Sequence, residues 1–148
     1  MLSLTIGAMA QNTVQVSGST GSTSWTANNT YILNGYVFVS AGQVLTIEAG
    51  TVIKGAAGSG ADASALIIAK GGQIFANGTE AAPIVFTYEA DPLDGSVAYD
   101  TRGQWGGVII LGDASTNFGG PAQIEGIPAD NNQAIYGGSN DADKSGVM

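Results

Sequence analysis

The chain has 148 residues, of which 23 are glycine, 44% are apolar and only 11% are charged. This is too apolar for a disordered glycine-rich linker and long enough for one packed domain. Twelve acids against four bases give a net charge of -8, and the absence of cysteine and histidine excludes disulfides, thiol chemistry, Ser-His-Asp triads and the common zinc sites.

The bases, Lys54, Lys70, Arg102 and Lys144, are scattered along the chain. Phosphate neutralisation needs a clustered basic patch, so nucleic acid is not an expected partner, and docking to an anionic bilayer is disfavoured for the same reason. No segment approaches the roughly 18 apolar residues of a membrane span.

The start, MLSLTIGAMAQN, combines a brief apolar run (Leu2, Leu4, Ile6) with the small-x-small site Ala8-Met9-Ala10. It reads as the remnant of a signal peptide over residues 1–10, although the basic leading region is missing. A secreted or cell-surface location follows as the expectation. Residues 11–29 are polar with single apolar residues (Val14, Val16, Trp25) and read as an entry or capping segment, with Trp25 over the end of a core.

From residue 30 the pattern changes. TYILNGYVFVS (30–40) is rich in β-branched and aromatic residues, VLTI (44–47) alternates, and TVIK (51–54) follows the turn Glu48-Ala49-Gly50. The intervening segments are too short for crossover helices. VFVSAGQVLTI (37–47) then aligns with IIAKGGQIFAN (67–77) at an offset of 30, and PIVFT (83–87) follows as TVIK did. A three-strand unit therefore repeats, which is the signature of a stacked architecture.

A third copy opens at GGVIILGDAS (106–115), with QIEGI (123–127) and AIY (134–136) as candidates for its remaining strands. Longer segments fall at corners, GAAGSGADAS (55–64) and YEADPLDGSVAYDTRGQ (88–104), where a solenoid accommodates insertions. The predicted fold is all-β: a right-handed parallel β-helix of about three coils over residues 30–148. Val37, Val39, Leu45, Ile47 and Val52 should face a core shared with Leu66, Ile68, Ile74, Ile84 and Phe86. Each such side chain contributes roughly 1.5 to 3 kcal/mol on full burial.

The run TYILNGYVFVSAGQVLTIEAGTVIKG, followed by SALIIAKGGQIFANGTEAAPIVFT and RGQWGGVIILGDA, resembles a family of secreted right-handed β-helix proteins common in Bacteroidetes. The resemblance extends from Trp25 to Val147. It implies a pectin-lyase-like solenoid in a longer exported chain, often cargo of the type nine secretion system. In such proteins SGV commonly opens another coil, so the chain is expected to be a fragment truncated within the solenoid at its C-terminus. Open coil ends would then favour self-association.

Candidate chemistry is sparse. Asp141-Ala142-Asp143-Lys144-Ser145-Gly146 has the D-x-D-x-S-G spacing of the first half of a calcium loop, making Asp141, Asp143 and Ser145 the candidate ligands, with Asn140 an additional one. The competing reading is an acidic corner before a strand. The loop 88–104 carries Glu89, Asp91, Asp94, Asp100 and Arg102; paired carboxylates there could act as acid and base if held about 5 to 10 Å apart, or the loop could be a solvated insertion.

Trp105, with Arg102 and Asp100 before it, is the candidate ligand-binding group, since an aromatic followed by two glycines can present a face to a sugar ring. Its competing role is packing over a corner. Tyr36 and Phe38 fall on the outward strand phase and suggest either lateral packing or glycan stacking. Asn28-Asn29-Thr30 and Asn77-Gly78-Thr79 match glycosylation sequons, and Asn77 reads better as an internal polar corner bonding an adjacent coil.

The function expected from these features is a non-catalytic secreted or cell-surface β-helix segment acting as adhesin, scaffold or glycan-binding module, with calcium as the one candidate cofactor and a polysaccharide as the candidate partner. The alternative is part of a polysaccharide lyase or hydrolase whose catalytic coils lie mostly beyond Met148.

Overall fold

A computed structural model of the protein describes residues 11–128 and 131–148. The signal-peptide expectation for residues 1–10 lies outside the described residues. In chain order the strands are β1 (Asn12–Ser19), β2 (Thr23–Trp25), β3 (Asn29–Val39), β4 (Val44–Ile47), β5 (Val52–Gly55), β6 (Ala65–Ile68), β7 (Gln73–Ala76), β8 (Val85–Tyr88), β9 (Val108–Ile110), β10 (Ala122–Gln123), β11 (Ile135–Tyr136) and β12 (Gly146–Val147).

All pairings except that of β10 with β11 are parallel. Three walls result. Wall one stacks the first part of β1, the first part of β3, then β5 and β8; wall two stacks the end of β1, the second part of β3, then β6 and β9. Wall three stacks β2, β4, β7 and β12. This is the parallel β-helix expected from the repeat. Its three coils from residue 29 onward are joined by a further tier, because β1 and β2 place the entry segment on all three walls.

The long strand β3 serves two walls because it bends at Asn34-Gly35, where Gly35 has φ +69°. Its first half pairs with β5 and its second with β6. Alternation then places Tyr31, Leu33, Val37 and Val39 inward, above or below Ile53, Leu66 and Ile68. Leu45, Ile47, Ile74 and Ala76 close the core from wall three. Trp25 stacks on Tyr31 with ring centroids 4.7 Å apart, and the Tyr31 hydroxyl accepts from the Thr26 amide at 2.9 Å. The aromatic pair thereby fills one end of the core and fixes the adjoining corner.

The rise per tier is 29 residues between coils one and two, not the 30 of the sequence alignment: Val37 lies on Leu66, and Leu45 on Ile74. At the corner, Gly42 and Gly71 share positive φ, and the Gly42 amide donates to the Gly71 carbonyl at 2.8 Å. Matching Gly42 to Gly72 maximises identity but would turn the inward side chains of one tier outward, since a one-residue slip exchanges the two faces of a strand. Burial decides the register.

Two further expectations are corrected. Ile53, not Val52, joins the main core from β5, because Ile53 pairs with inward Tyr31 and Phe86 while Val52 pairs with Thr30 and Val85. The segments 123–127 and 134–136 do not complete the third coil. Ala122–Gln123 and Ile135–Tyr136 pair antiparallel with each other, and the third-wall strand of that coil is Gly146–Val147, lying on Ile74 and Phe75. SGV thus finishes a coil here.

The segment between β9 and β12 folds as a lobe against the outside of wall two. Ile124, Ile127, Ala134 and Tyr136 pack with Tyr36, Phe38, Ala65, Ile67, Ile109 and Leu111 in a second apolar cluster. The outward aromatics of wall two are therefore lateral packing groups under the chain's own lobe. The Tyr36 hydroxyl lies 3.0 Å from the Gly60 carbonyl and 2.9 Å from the Gly126 carbonyl, linking the lobe to the corner segment 56–64.

Candidate functional site

Wall one turns into wall two at a corner that lengthens from tier to tier. It is Asn34-Gly35 within β3, residues 56–64 between β5 and β6, and residues 89–107 between β8 and β9. Because β5 lies directly beneath β8, and β6 beneath β9, the two long segments emerge one above the other. Between them is a cleft of about 190 Å³ lined by Gly55, Ala57, Tyr88, Glu89, Ala90 and Gln104.

Trp105 forms the inner boundary of this region. It is half-buried and packs on the main core, and a Cβ built on Gly55 would lie 2.6 Å from Trp105 Cε3. Glycine at 55 thus leaves a space in the inward column Val16-Leu33-Gly55-Tyr88, and the indole enters it. The next residues fasten the segment: the Gly106 amide donates to the Ser64 carbonyl at 2.7 Å, and the Gly107 carbonyl accepts from Leu66 at 3.0 Å.

The remaining part of the loop is organised from its base. Lys54 Nζ donates to the carbonyls of Glu89 (3.2 Å) and Asp91 (2.5 Å), so this cation closes the loop instead of facing solvent alone. Asp91 accepts from Thr87 Oγ1 at 2.6 Å and from the Leu93 amide at 2.8 Å. Those bonds, the threonine first, hold its carboxyl below the usual aspartate value, with Lys54 adding a smaller attraction. Asp94 is lowered likewise by Ser96, first through its hydroxyl and then through its amide, which donates at 2.9 Å.

Asp100 and Arg102 are exposed on the same loop. Arg102 Nε donates to the Asp100 carbonyl at 3.0 Å, and Gln104 Nε2 to the Arg102 carbonyl at 3.2 Å. Asp100, Arg102 and Trp105 thus share one corner loop, with Trp105 packed inward and the other two exposed.

Tyr88 and Gln104 were not singled out as individual residues by sequence. They are the two ends of an insertion, and an insertion that leaves and re-enters one coil must bring its ends together. That geometric fact is the available signal for them.

Asp141, Asp143 and Ser145 lie at the second corner, between walls two and three. Asp141 Oδ1 accepts from the Ser115 amide at 2.8 Å and from its hydroxyl, and Asp143 Oδ2 accepts from the Asp113 amide at 3.1 Å and the Ser145 hydroxyl at 3.0 Å. The Ser115 hydroxyl, then its amide, lower the Asp141 pKa. The Asn140 amide donates to the Asp113 carbonyl at 3.0 Å, while Asp113 pairs with Lys70 at 3.1 Å. These groups tie the end of the lobe to the turn 111–115. No grouping of three or more His, Cys, Asp or Glu side chains suited to a metal occurs among the described residues.

A wider groove of about 470 Å³ follows the seam between lobe and coil, along Ser40, Ala69, Lys70, Pro121, Gln133 and Ile135. Its polar groups close the seam: Ser40 Oγ bonds Gln133 Oε1 at 2.6 Å, and Lys70 Nζ bonds the Gly137 carbonyl at 3.3 Å as well as Asp113. Asn77, expected as an internal corner residue, is exposed on the segment between β7 and β8.

Comparison with known proteins agrees with this architecture. A family model described as a pectate-lyase-like beta helix domain matches residues 17–148. No curated protein and no solved structure matches the chain.

Proposed function

Because the chain belongs to the pectate-lyase-like beta-helix family, we propose that it works as a non-catalytic secreted or cell-surface β-helix that holds a carbohydrate at its first corner, as an adhesin or scaffold module does. The observation that supports this reading is the cleft between residues 56–64 and 89–107. Tyr88 supplies an aromatic surface there, and Glu89 and Gln104 supply hydrogen-bonding groups. A sugar ring needs an apolar face for its C–H groups and a few placed polar groups for its hydroxyls. Asp100 and Arg102, exposed on the same loop, are proposed as further contacts for a longer saccharide.

The same reading gives the acids of the first corner a structural task. Asp91 and Asp94 accept main-chain hydrogen bonds within their own loop. The Asp141–Ser145 segment likewise tethers the lobe, its carboxylates accepting from Ser115, Asp113 and Ser145.

The test applies the chain to pectic, alginate and neutral oligosaccharides, with calcium and with a chelator, measuring binding by calorimetry and cleavage by new reducing ends and unsaturated products. The expected result is binding without cleavage, independent of calcium, and weakened about tenfold by Tyr88→Ala or Gln104→Ala. Cleavage lost on Asp91→Asn or Asp94→Asn would overturn the reading in favour of a polysaccharide lyase or hydrolase. Calcium-dependent binding lost on Asp143→Asn would restore the metal site.

A further inference from the structure

The chain contains two Asn-Gly pairs, Asn34-Gly35 and Asn77-Gly78, at corners of the coil. Asn-Gly is the dipeptide most prone to lose its side-chain amide, because glycine leaves the following main-chain nitrogen unhindered. Whether a given pair reacts depends on whether that nitrogen can reach the asparagine Cγ. The two corners differ sharply in this respect.

At the first pair, both reacting groups are held. Asn34 Nδ2 donates to Gln15 Oε1 at 2.6 Å, on the tier below, and the Gly35 amide donates to Ser64 Oγ at 3.1 Å, on the tier above. Ser64 is 1% exposed, so the acceptor is fixed in the interior. The pair also lies within one continuous strand, β3, which is ladder-bonded to β1 and to β5 and β6. Bringing the Gly35 nitrogen onto Asn34 Cγ would strain the bend between two laddered halves of β3 and break the bonds that tie the pair to Gln15 and Ser64.

At the second pair, residues 77–80 are all exposed and lie between strands, after β7. The Gly78 amide donates to the Ala76 carbonyl at 3.2 Å, a bond spanning a single residue, and the next turn is closed separately between Thr79 and Ala82. Freeing the Gly78 nitrogen therefore disturbs no ladder bond.

We infer that Asn77 is a site of spontaneous deamidation in the folded protein and that Asn34 is protected by the coil stack. The Gly78 nitrogen loses its proton and attacks Asn77 Cγ, the bond from Cγ to the side-chain nitrogen breaks, and ammonia leaves. Water then opens the five-membered imide at either carbonyl, giving aspartate or isoaspartate; nothing is oxidised or reduced. The product carries a new carboxylate three residues before Glu80, and the isoaspartyl form adds a methylene to the main chain between β7 and β8. This inference is independent of the carbohydrate reading, since residues 77–84 form the third corner, away from the first-corner cleft.

The experiment incubates the full chain at mildly alkaline pH, in buffer and in denaturant, and follows each peptide by mass spectrometry for the gain of about 1 Da that replacement of an amide by an acid produces. In buffer, Asn77 should convert at least about tenfold faster than Asn34, a ratio that one retained hydrogen bond can supply. In denaturant the two rates should converge, and Asn77→Gln should abolish the major gain. Equal rates in buffer, or a preference for Asn77 that persists unchanged in denaturant, would overturn the inference.

Discussion

The indole of Trp105 occupies the place that a side chain at Gly55 would take: a Cβ built there would lie 2.6 Å from Trp105 Cε3 and 2.8 Å from Trp105 Cβ. The relationship joins the end of a long surface loop to the inner column of wall one. It lets that loop rejoin the coil without leaving a void. Gly55→Ala should therefore destabilise by about 1–3 kcal/mol through overpacking, and Trp105→Ala by about 3 kcal/mol through loss of a half-buried ring. In the double variant the two costs should be less than additive when measured by denaturant unfolding, because the alanine methyl then enters vacated space.

Tyr36 is predicted to hold the lobe. Tyr36→Phe keeps the ring in the second apolar cluster but removes the hydroxyl that meets the Gly60 and Gly126 carbonyls. The expected cost is about 1 kcal/mol. Amide hydrogen exchange should quicken in residues 112–128 while the strands of walls one and three keep their protection.

Leu93 is the one non-glycine residue at positive φ among the described residues, at 62°. It sits in the turn Pro92-Leu93-Asp94-Gly95, where a branched apolar side chain gains little, being 47% exposed. Leu93→Asn should stabilise by up to about 1 kcal/mol, since asparagine tolerates this conformation better than leucine. A rise in the thermal midpoint with unchanged sugar binding is the expected result.

Acid should loosen the second corner. The Asp141 carboxyl titrates below its ordinary 3.8 because Ser115 donates to its ionised form. A group with a lowered folded-state pKa stabilises the fold above its unfolded value and loses that contribution as pH falls through the folded one. Unfolding followed from pH 6 downward should thus show a decline beginning near pH 4. Asp141→Asn, which keeps an acceptor oxygen but cannot titrate, should show a shallower decline.

The three walls are legible where alternation survives, most clearly in β4 (VLTI) and in the second half of β3 (YVFV). Val37, Val39, Leu45, Ile47, Leu66, Ile68 and Ile74 are inward as the pattern requires. Sequence alignment favours an offset of 30 because the corner glycine and glutamine produce more identities at 30 than at 29, although only 29 superposes the inward faces. The sequence points to Val52 instead of Ile53 in the main core because TVIK is too short for its phase to show, and the two side chains are both buried on opposite faces of the strand.

The lobe was harder to read. Its strands are two residues long, and its apolar residues, Ile124, Ile127 and Ala134, make sense only against the outer face of wall two. That contact crosses long sequence separations and leaves no periodic trace. Asp141 and Asp143 share a spacing with cation loops because alternate acceptors on a turn suit main-chain amides as well as metal ions. The spacing alone does not distinguish the two.

The walls depend on the parallel register in which β6 lies on β3 and β7 on β4, 29 residues apart, and paired cysteines test it directly because the chain has none of its own. Thr46 and Phe75 are register partners on the outer side of wall three. Neighbouring parallel strands lie about 4.8 Å apart, within the span a disulfide can bridge. Thr46→Cys with Phe75→Cys should cross-link rapidly under mild oxidation, whereas Thr46→Cys with Ala76→Cys, whose second position faces the core, should not. Preferential cross-linking of 46 to 76, or of neither pair in a folded sample, would contradict the account.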